Sequence, residues 1–179
     1  SNLFSDFPIE LQEFIEKHHN NNPGMSRQKK LPIYLEKSKY YKAKRIIKID
    51  ELNNLFAIKC INILVNTPLI KEIEEYIKST KSIKKHHILT NMPQKEINIV
   101  IQEKEIKSYF NTISGSSINK SIGLKSIIKK IKNKSEVVFI GDSEGDYKAA
   151  KDNSIDFILK ESKYNYELQK KIKQTTLIV

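Results

Sequence analysis

From residue 8 to residue 65 the apolar positions recur every three or four residues, as they do along one face of a helix. Pro8 would open the first helix at its N1 position, and the run Asn-Asn-Asn-Pro-Gly at residues 20–24 would end it. Ser26 would cap a second helix, and a third would continue to about Leu64. The spacing therefore predicts a segment built from helices only.

After Asn66 the pattern alternates between helices and strands. Thr67 would cap one helix and Pro93 would begin another. Further helices are predicted at residues 119–132, 144–152 and 164–173, and strands at residues 87–91, 136–141 and 155–159. Such alternation predicts a parallel sheet with helices on both faces. We therefore expect an α/β fold in which residues 67–179 form a three-layer, doubly wound core and residues 3–66 form a helical domain in front of it.

The stretch from residue 136 to residue 150 carries the first candidate chemistry. Its apolar run predicts a strand buried on both faces, which ends at Gly141-Asp142, and Asp146 follows on a predicted helix. Two carboxylates would thus lie at the carboxyl end of a strand, where open α/β sheets bind ligands. Mg²⁺ takes oxygen ligands of this kind, completed by water and substrate phosphate. Alternatively, Asp142 or Ser143 caps the helix and the second acid is solvated, and the pattern alone favours neither interpretation.

Length and cysteine content narrow the class of protein. A chain of 179 residues is long enough to bury a core, as one domain or as a core with a smaller insertion. Its one cysteine, Cys60, excludes a disulfide framework and is typical of a reducing compartment. No apolar run approaches about 18 residues and no signal-peptide pattern opens the chain, so we expect a cytoplasmic protein without membrane spans.

The net charge of +11 raises the hypothesis of nucleic-acid binding. The positive residues are almost all lysines, however, with Arg27 and Arg45 the only arginines, and they are scattered along the whole chain. Because bidentate recognition of bases and phosphates favours arginine, the composition argues against a nucleic-acid groove. A positive field of this kind would still attract small phosphorylated anions.

Three features of the chain follow one another in a recognisable order. A predicted strand ends in Thr90-Asn91, Lys120 precedes an amphipathic helix, and a later strand leads into Asp142-x-x-x-Asp146. In this order they resemble the later motifs of the haloacid dehalogenase-like phosphohydrolase superfamily.

Sequence around these motifs extends the resemblance over nearly the whole chain. Residues 90–97 look like the segment after the second motif of that superfamily, and residues 109–116 look like the run leading to its lysine. The helical segment before Thr67 is similar to its cap domain, and residues 22–27 resemble a cap loop of phosphoglycolate-phosphatase-like members.

The resemblance implies Mg²⁺-dependent hydrolysis of a small phosphate monoester through an aspartyl-phosphate. Thr90 would donate a hydrogen bond to a phosphoryl oxygen, and Lys120 would neutralise charge on the nucleophile and the transferring group. Asp142 would hold Mg²⁺, and Asp146 would either bind the ion through water or orient Lys120. The remaining anion and substrate contacts would be the backbone amides of Asn91 and of the helix start near Ser143, and the side chains of Ser26 and Arg27.

Each of these roles has a structural alternative. The Thr90 hydroxyl would serve equally well as a hydrogen-bond partner of the local backbone. Lys125, about one helical turn further on, competes with Lys120 for the role of the charge-neutralising lysine. Ser26 and Arg27 would otherwise be a helix cap and a solvated arginine.

The first motif of the superfamily, an apolar strand ending in Asp-x-Asp, does not occur in these 179 residues. Asp6 has no strand of suitable length before it and is followed by Pro8 where a second aspartate would stand, so we reject it as a nucleophile. Glu10 lies too far along the chain. We expect either a truncated phosphatase or a catalytically silent relative in which another element, such as the apolar tail at residues 176–179, completes the sheet.

The sequence therefore leaves alternatives for function. The first is a phosphohydrolase that, as these residues stand, hydrolyses phosphate esters poorly because the nucleophile motif is missing. The second is a non-catalytic binding module that keeps a pocket for a small phosphorylated metabolite or a metal. A basic nucleic-acid-binding protein is the third, and neither substrate identity nor oligomeric state follows from the sequence.

Overall fold

The computed structural model describes residues 4–5, 7–22, 25–40, 48–116, 119–131 and 133–173. The α-helices within these residues are α1 (Ile9–Asn21), α2 (Arg27–Tyr40), α3 (Ile49–Asn66), α4 (Lys71–Thr80), α5 (Gln94–Glu103), α6 (Lys120–Ile128), α7 (Glu144–Asp152) and α8 (Tyr166–Lys173). The strands are β1 (His87–Leu89), β2 (Thr112–Ser114), β3 (Val138–Gly141) and β4 (Asp156–Leu159). The helical first part and the later alternation of helix and strand are as the sequence predicts.

Two predicted helix caps are wrong. Thr67 does not begin α4 but ends α3, because its N–H and its hydroxyl both donate to the carbonyl of Ile63, at 2.8 Å and 2.7 Å. The cap position of α4 is taken by Ile70 instead. Pro8 occupies the N-cap of α1 rather than N1, and its carbonyl accepts the first helical hydrogen bonds. A threonine followed by a proline fits either end of a helix, so the sequence alone did not show whether Thr67 ends one helix or begins the next.

The described strands pair in parallel, as predicted, but as two separate two-stranded sheets. β1 pairs with β2, with Ile88 opposite Ile113, and β3 pairs with β4, with Phe139 opposite Phe157. The α/β class of the chain follows from these parallel pairs and their connecting helices. A single three-layer sheet stays a prediction, and so does the domain boundary at residue 66.

The chain divides into two compact units. The first comprises Ser1–Phe7 and Leu35–Ile118. Its core is formed by Ile97, Ile101 and Ile106, and α3 packs against α5. Lys104 of this unit donates to the carbonyl of Thr67 (2.5 Å) just beyond the carboxyl end of α3, where a cation is favoured by the helix dipole.

The second unit comprises Pro8–Tyr34 and Asn119–Val179. In it α7 packs against α6, β3 and β4. One face of the β3–β4 pair carries Phe139 and Phe157, whose rings meet edge to face 6.3 Å apart, and Tyr147 of α7 packs on Phe157. This packing fixes α7 beside the carboxyl end of β3.

The opposite face of the β3–β4 pair is not buried. Val138 and Ile140 of β3 are each 47% exposed, and Ile158 of β4 is 49% exposed. The prediction that β3 is buried on both faces is therefore wrong. The apolar run correctly indicated a strand, but a strand sequence does not specify which elements cover it.

No helix in the described ranges combines the length and the apolarity that crossing a bilayer requires. Asp6 and the apolar tail at residues 176–179 lie outside the described residues.

Candidate functional site

The site is built around the turn from β3 into α7, where Gly141 lies directly against Asp146. A Cβ atom at Gly141 would stand 2.6 Å from Cγ of Asp146 and 2.9 Å from its Oδ2. Any side chain at this position would push the carboxylate away. Glycine at the end of the strand is therefore what allows the first turn of α7 to close against β3.

Ser143 and Asp146 form a reciprocal cap at the start of α7. The Ser143 hydroxyl accepts from the backbone N–H of Asp146 (3.3 Å), while Asp146 Oδ2 accepts from the Ser143 N–H (3.1 Å) and from its hydroxyl (2.6 Å). A carboxylate in the first helical turn is also favoured by the helix dipole. Of the two residues considered as caps, Ser143 is the cap, which leaves Asp142 outside that role.

The second oxygen of Asp146 accepts from Lys120. Nζ of Lys120, the first residue of α6, lies 2.5 Å from Asp146 Oδ1. The side chains are 17% and 5% exposed, so the ion pair is largely removed from water. Lys125 of the same helix is exposed. Of the two candidate lysines, Lys120 is therefore the one that contacts Asp146.

Asp142 differs from Asp146 in being exposed, and its carboxylate makes no hydrogen bond or ion pair with any part of the chain that the structure describes. Both oxygens of Asp146, in contrast, are occupied by Lys120 and Ser143. Of the two roles left open for Asp146, this geometry favours orienting Lys120 over binding an ion. Asp142 is the carboxylate left available for a ligand.

The donors at this turn fit a magnesium ion only in part. Mg²⁺ in proteins is commonly held by one or two carboxylates, several waters and substrate phosphate. Asp142 supplies one exposed carboxylate, and among the described ranges no three His, Cys, Asp or Glu side chains converge on one point. The residues suit an ion shared with a phosphate group rather than one enclosed by protein.

Thr90 and Asn91 follow β1 in the first unit. The Thr90 hydroxyl accepts from the backbone N–H of Met92 (3.2 Å), and the Thr90 N–H donates to the carbonyl of Ser114 (2.9 Å). The hydroxyl thus bonds local backbone, the predicted alternative, yet accepting a bond leaves its proton available for a second partner. The catalytic role of Thr90 stays a prediction, and so does the contact of the Asn91 amide with substrate.

The loop after β2 is held tightly to the loop after β1. The N–H of Gly115 donates to Oε1 of Gln94 (2.7 Å), and the N–H of Ser116 donates to the carbonyl of Met92 (2.8 Å). A Cβ at Gly115 would lie 2.6 Å from the Gln94 backbone. These contacts fix the backbone that follows Thr90.

Ser26 and Arg27 lie at the amino end of α2. The carbonyl of Ser26 accepts from the N–H groups of Lys29 and Lys30, both at 3.1 Å, so Ser26 occupies the cap position that the sequence predicts. Arg27 is the first residue of the helix. Their contact with a substrate stays a prediction.

Two buried polar residues of the second unit were missed by the sequence analysis. Asn165, directly before α8, is 8% exposed, and Lys30 of α2 is 6% exposed. An asparagine before a helix is a recognisable cap signal, but its hydrogen bonds to other loops are not encoded in local sequence. A buried lysine among many exposed ones gives no signal at all.

One comparison with known proteins assigns the chain to a family. The family model described as haloacid dehalogenase-like hydrolase matches residues 2–153. This range includes Lys120, Asp142 and Asp146. No curated protein matches the chain significantly.

Proposed function

Because the chain belongs to the haloacid dehalogenase-like hydrolase family, we propose that the turn between β3 and α7 binds the phosphate group of a small monoester together with Mg²⁺. The observation that supports this most strongly is the fixed Lys120–Asp146 pair beside the exposed carboxylate of Asp142. It places a cation and an uncommitted anion at the carboxyl end of a parallel strand. The Lys120 ammonium is already paired with Asp146, so the uncompensated charge is that of Asp142, which is complementary to a divalent cation and, through that cation, to a phosphate group.

Each residue contributes by its charge or its hydrogen bonds. The Lys120 ammonium is held in place by Asp146 and would stabilise negative charge on a phosphoryl group. Because its position is fixed, the site would not have to reorganise when that charge develops. Asp142 would hold the metal ion, which when bound neutralises phosphoryl oxygens. The parent reaction is hydrolysis of a phosphate monoester through an aspartyl-phosphate, as the family resemblance implies.

The proposal concerns the binding of phosphate and Mg²⁺, and the hydrolysis of phosphate esters requires a further residue. An aspartyl-phosphate requires an aspartate nucleophile, and the 179 residues contain no Asp-x-Asp. We therefore expect this chain to bind phosphate and Mg²⁺ while hydrolysing esters poorly.

Thermal unfolding with and without ligands tests the proposal. We expect Mg²⁺ and inorganic phosphate together to raise the melting temperature by about 4 °C or more at concentrations near a hundred times the dissociation constant. Each alone should have a smaller effect, because the two ligands neutralise each other's charge. Asp142→Asn should remove the joint effect, since it removes the metal-binding carboxylate.

Asp156→Asn is the matched control. Asp156 is also exposed, but it begins β4 at the amino end of the same parallel strand pair, the end away from Asp142. It should keep the full joint stabilisation. Equal stabilisation of the wild type and Asp142→Asn would refute the proposal. Stabilisation by nucleic acid with a steep dependence on salt would support the third function class instead.

A further inference from the structure

The position of Asp142 depends on the backbone between β3 and α7. The buried side chain of Asn165, which lies outside this turn in the sequence, donates a hydrogen bond to that backbone. Asn165 Nδ2 donates to the carbonyl of Asp142 (2.8 Å) and to the carbonyl of Lys160 (2.9 Å). Lys160 follows directly after β4, and its N–H donates to the carbonyl of Gly141 (2.7 Å). Asn165 thus ties the residues after both strands to one amide group.

The other end of the Asn165 side chain is equally fixed. Its Oδ1 accepts from the N–H of Ser162 (2.9 Å) and from Nε2 of Gln169 (2.9 Å). Two carbonyls face Nδ2 and two donors face Oδ1, so only one orientation of the amide satisfies all four partners. At 8% exposure the side chain is shielded from water that would compete for these bonds.

Helix capping alone does not account for this arrangement. Asn165 does precede α8, and its carbonyl accepts the N–H of Gln169 (3.0 Å). A helix cap needs only an acceptor side chain, which aspartate, serine or threonine would supply. Donation to the Asp142 carbonyl needs an amide, and it is directed away from α8 towards the candidate site.

We propose that Asn165 is a positioning residue that sets the place of the Asp142 carboxylate for the metal ion. The inference rests on the proposed function, because it assigns Asn165 an effect only through Asp142. Outer residues that orient a metal ligand commonly change metal affinity by about ten to a hundredfold when they are replaced.

Calorimetric titration of the full chain with Mg²⁺, in the presence of inorganic phosphate, tests this inference. We expect Asn165→Ala to weaken Mg²⁺ binding by about tenfold. Asn165→Asp should weaken it as well, because a carboxylate still accepts from Ser162 and Gln169 but cannot donate to the Asp142 carbonyl. The added negative charge would by itself attract the cation, so a loss in this variant comes from the missing donation.

Asn153→Ala controls for a general loss of stability. Asn153 is a partly buried asparagine of the same unit that donates to the carbonyls of Ser121 (3.0 Å) and Ala149 (2.8 Å), away from Asp142. It should lower the melting temperature and leave Mg²⁺ affinity within about twofold of the wild type. If neither Asn165 variant folds, Gln169→Ala, which removes one partner of Oδ1, should give a smaller loss of Mg²⁺ affinity.

The outcomes separate this inference from the proposed function. Wild-type Mg²⁺ affinity in folded Asn165→Ala and Asn165→Asp, with binding abolished in Asp142→Asn, would overturn the inference alone. If Gln169→Ala is the only folded variant, wild-type affinity in that variant would overturn it too. Equal binding by the wild type and Asp142→Asn, or none by either, would overturn the proposed function and this inference with it.

Discussion

At the scale of single residues, Lys120 and Lys125 illustrate how surroundings separate side chains of one type. Both stand on α6, but Lys120 is paired with Asp146 and Lys125 is exposed. A buried ion pair is held at the cost of desolvating two charges, and removing one partner leaves the other uncompensated. The energetic consequences of replacing the two lysines should therefore differ.

We expect Lys120→Met to destabilise the chain by about 3 kcal/mol, because it leaves the Asp146 carboxylate buried without its cation. Lys125→Met should change the free energy of unfolding by about 0.5 kcal/mol or less. Urea denaturation followed by far-ultraviolet circular dichroism measures both. Equal losses in the two variants would show that the Lys120–Asp146 pair does not stabilise the fold.

The two candidate acidic residues can be identified from the sequence, but which of them binds a metal ion and which orients Lys120 cannot. Asp142 and Asp146 stand out because they lie four residues apart after an apolar run. Whether Asp146 binds an ion or orients Lys120 depends on which of its oxygens are already occupied. The bonds from Ser143 and Lys120 decide this, and the latter joins residues 26 positions apart.

At the scale of elements, helices α1 and α2 meet through a group of titratable side chains. The Lys30 ammonium lies 3.4 Å from Nδ1 of His19, which must accept because an ammonium only donates. Nδ1 of His18 lies 3.2 Å from the Tyr34 hydroxyl, and the two rings meet edge to face. Burial lowers the pKa of Lys30 and raises that of Tyr34. The pKa of His19 is lowered by burial first and then by Lys30.

We expect Lys30→Met to raise stability by about 1 kcal/mol near pH 7. A buried ammonium, whose one hydrogen bond among the described residues is the long one to His19, is replaced by an apolar chain. The lowered pKa of Lys30 means that the folded state releases its proton before the unfolded state does. Wild-type stability should therefore rise with pH from this lowered pKa towards 10.5, the ordinary lysine value.

Urea unfolding between about pH 7 and about pH 10 measures this slope in both proteins. Tyr34 acts in the opposite direction near the upper limit, because its raised pKa costs stability as pH rises, but it does so in the wild type and the variant alike. A slope as steep in Lys30→Met as in the wild type would contradict the assignment to Lys30.

Element types were predictable where the apolar spacing is long and regular, as in α1 and α3, and where an apolar run is bounded by a glycine, as in β3. Helix ends were less predictable, as Thr67 shows. Its hydroxyl can satisfy the last carbonyls of one helix or the first amides of the next. The choice depends on the packing of α3 against α5, which is not local.

At the scale of the whole molecule, the described strands form two parallel pairs rather than one sheet, and each unit exposes apolar surface. Val138, Ile140 and Ile158 are uncovered in the second unit, and Ile70 and Ile73 of the α4 region are 51% and 44% exposed in the first. The sequence pattern identifies these residues as apolar but does not name the element that covers them.

Family membership and the geometry of the turn between β3 and α7 support the proposal that a phosphate group and Mg²⁺ bind there together. Isothermal titration of inorganic phosphate with and without saturating Mg²⁺ tests it most directly, because binding to a shared site makes each ligand raise the affinity for the other by the same factor. We expect at least about a fivefold gain in phosphate affinity with Mg²⁺, which Asp142→Asn loses. The same phosphate affinity with and without Mg²⁺ would contradict it.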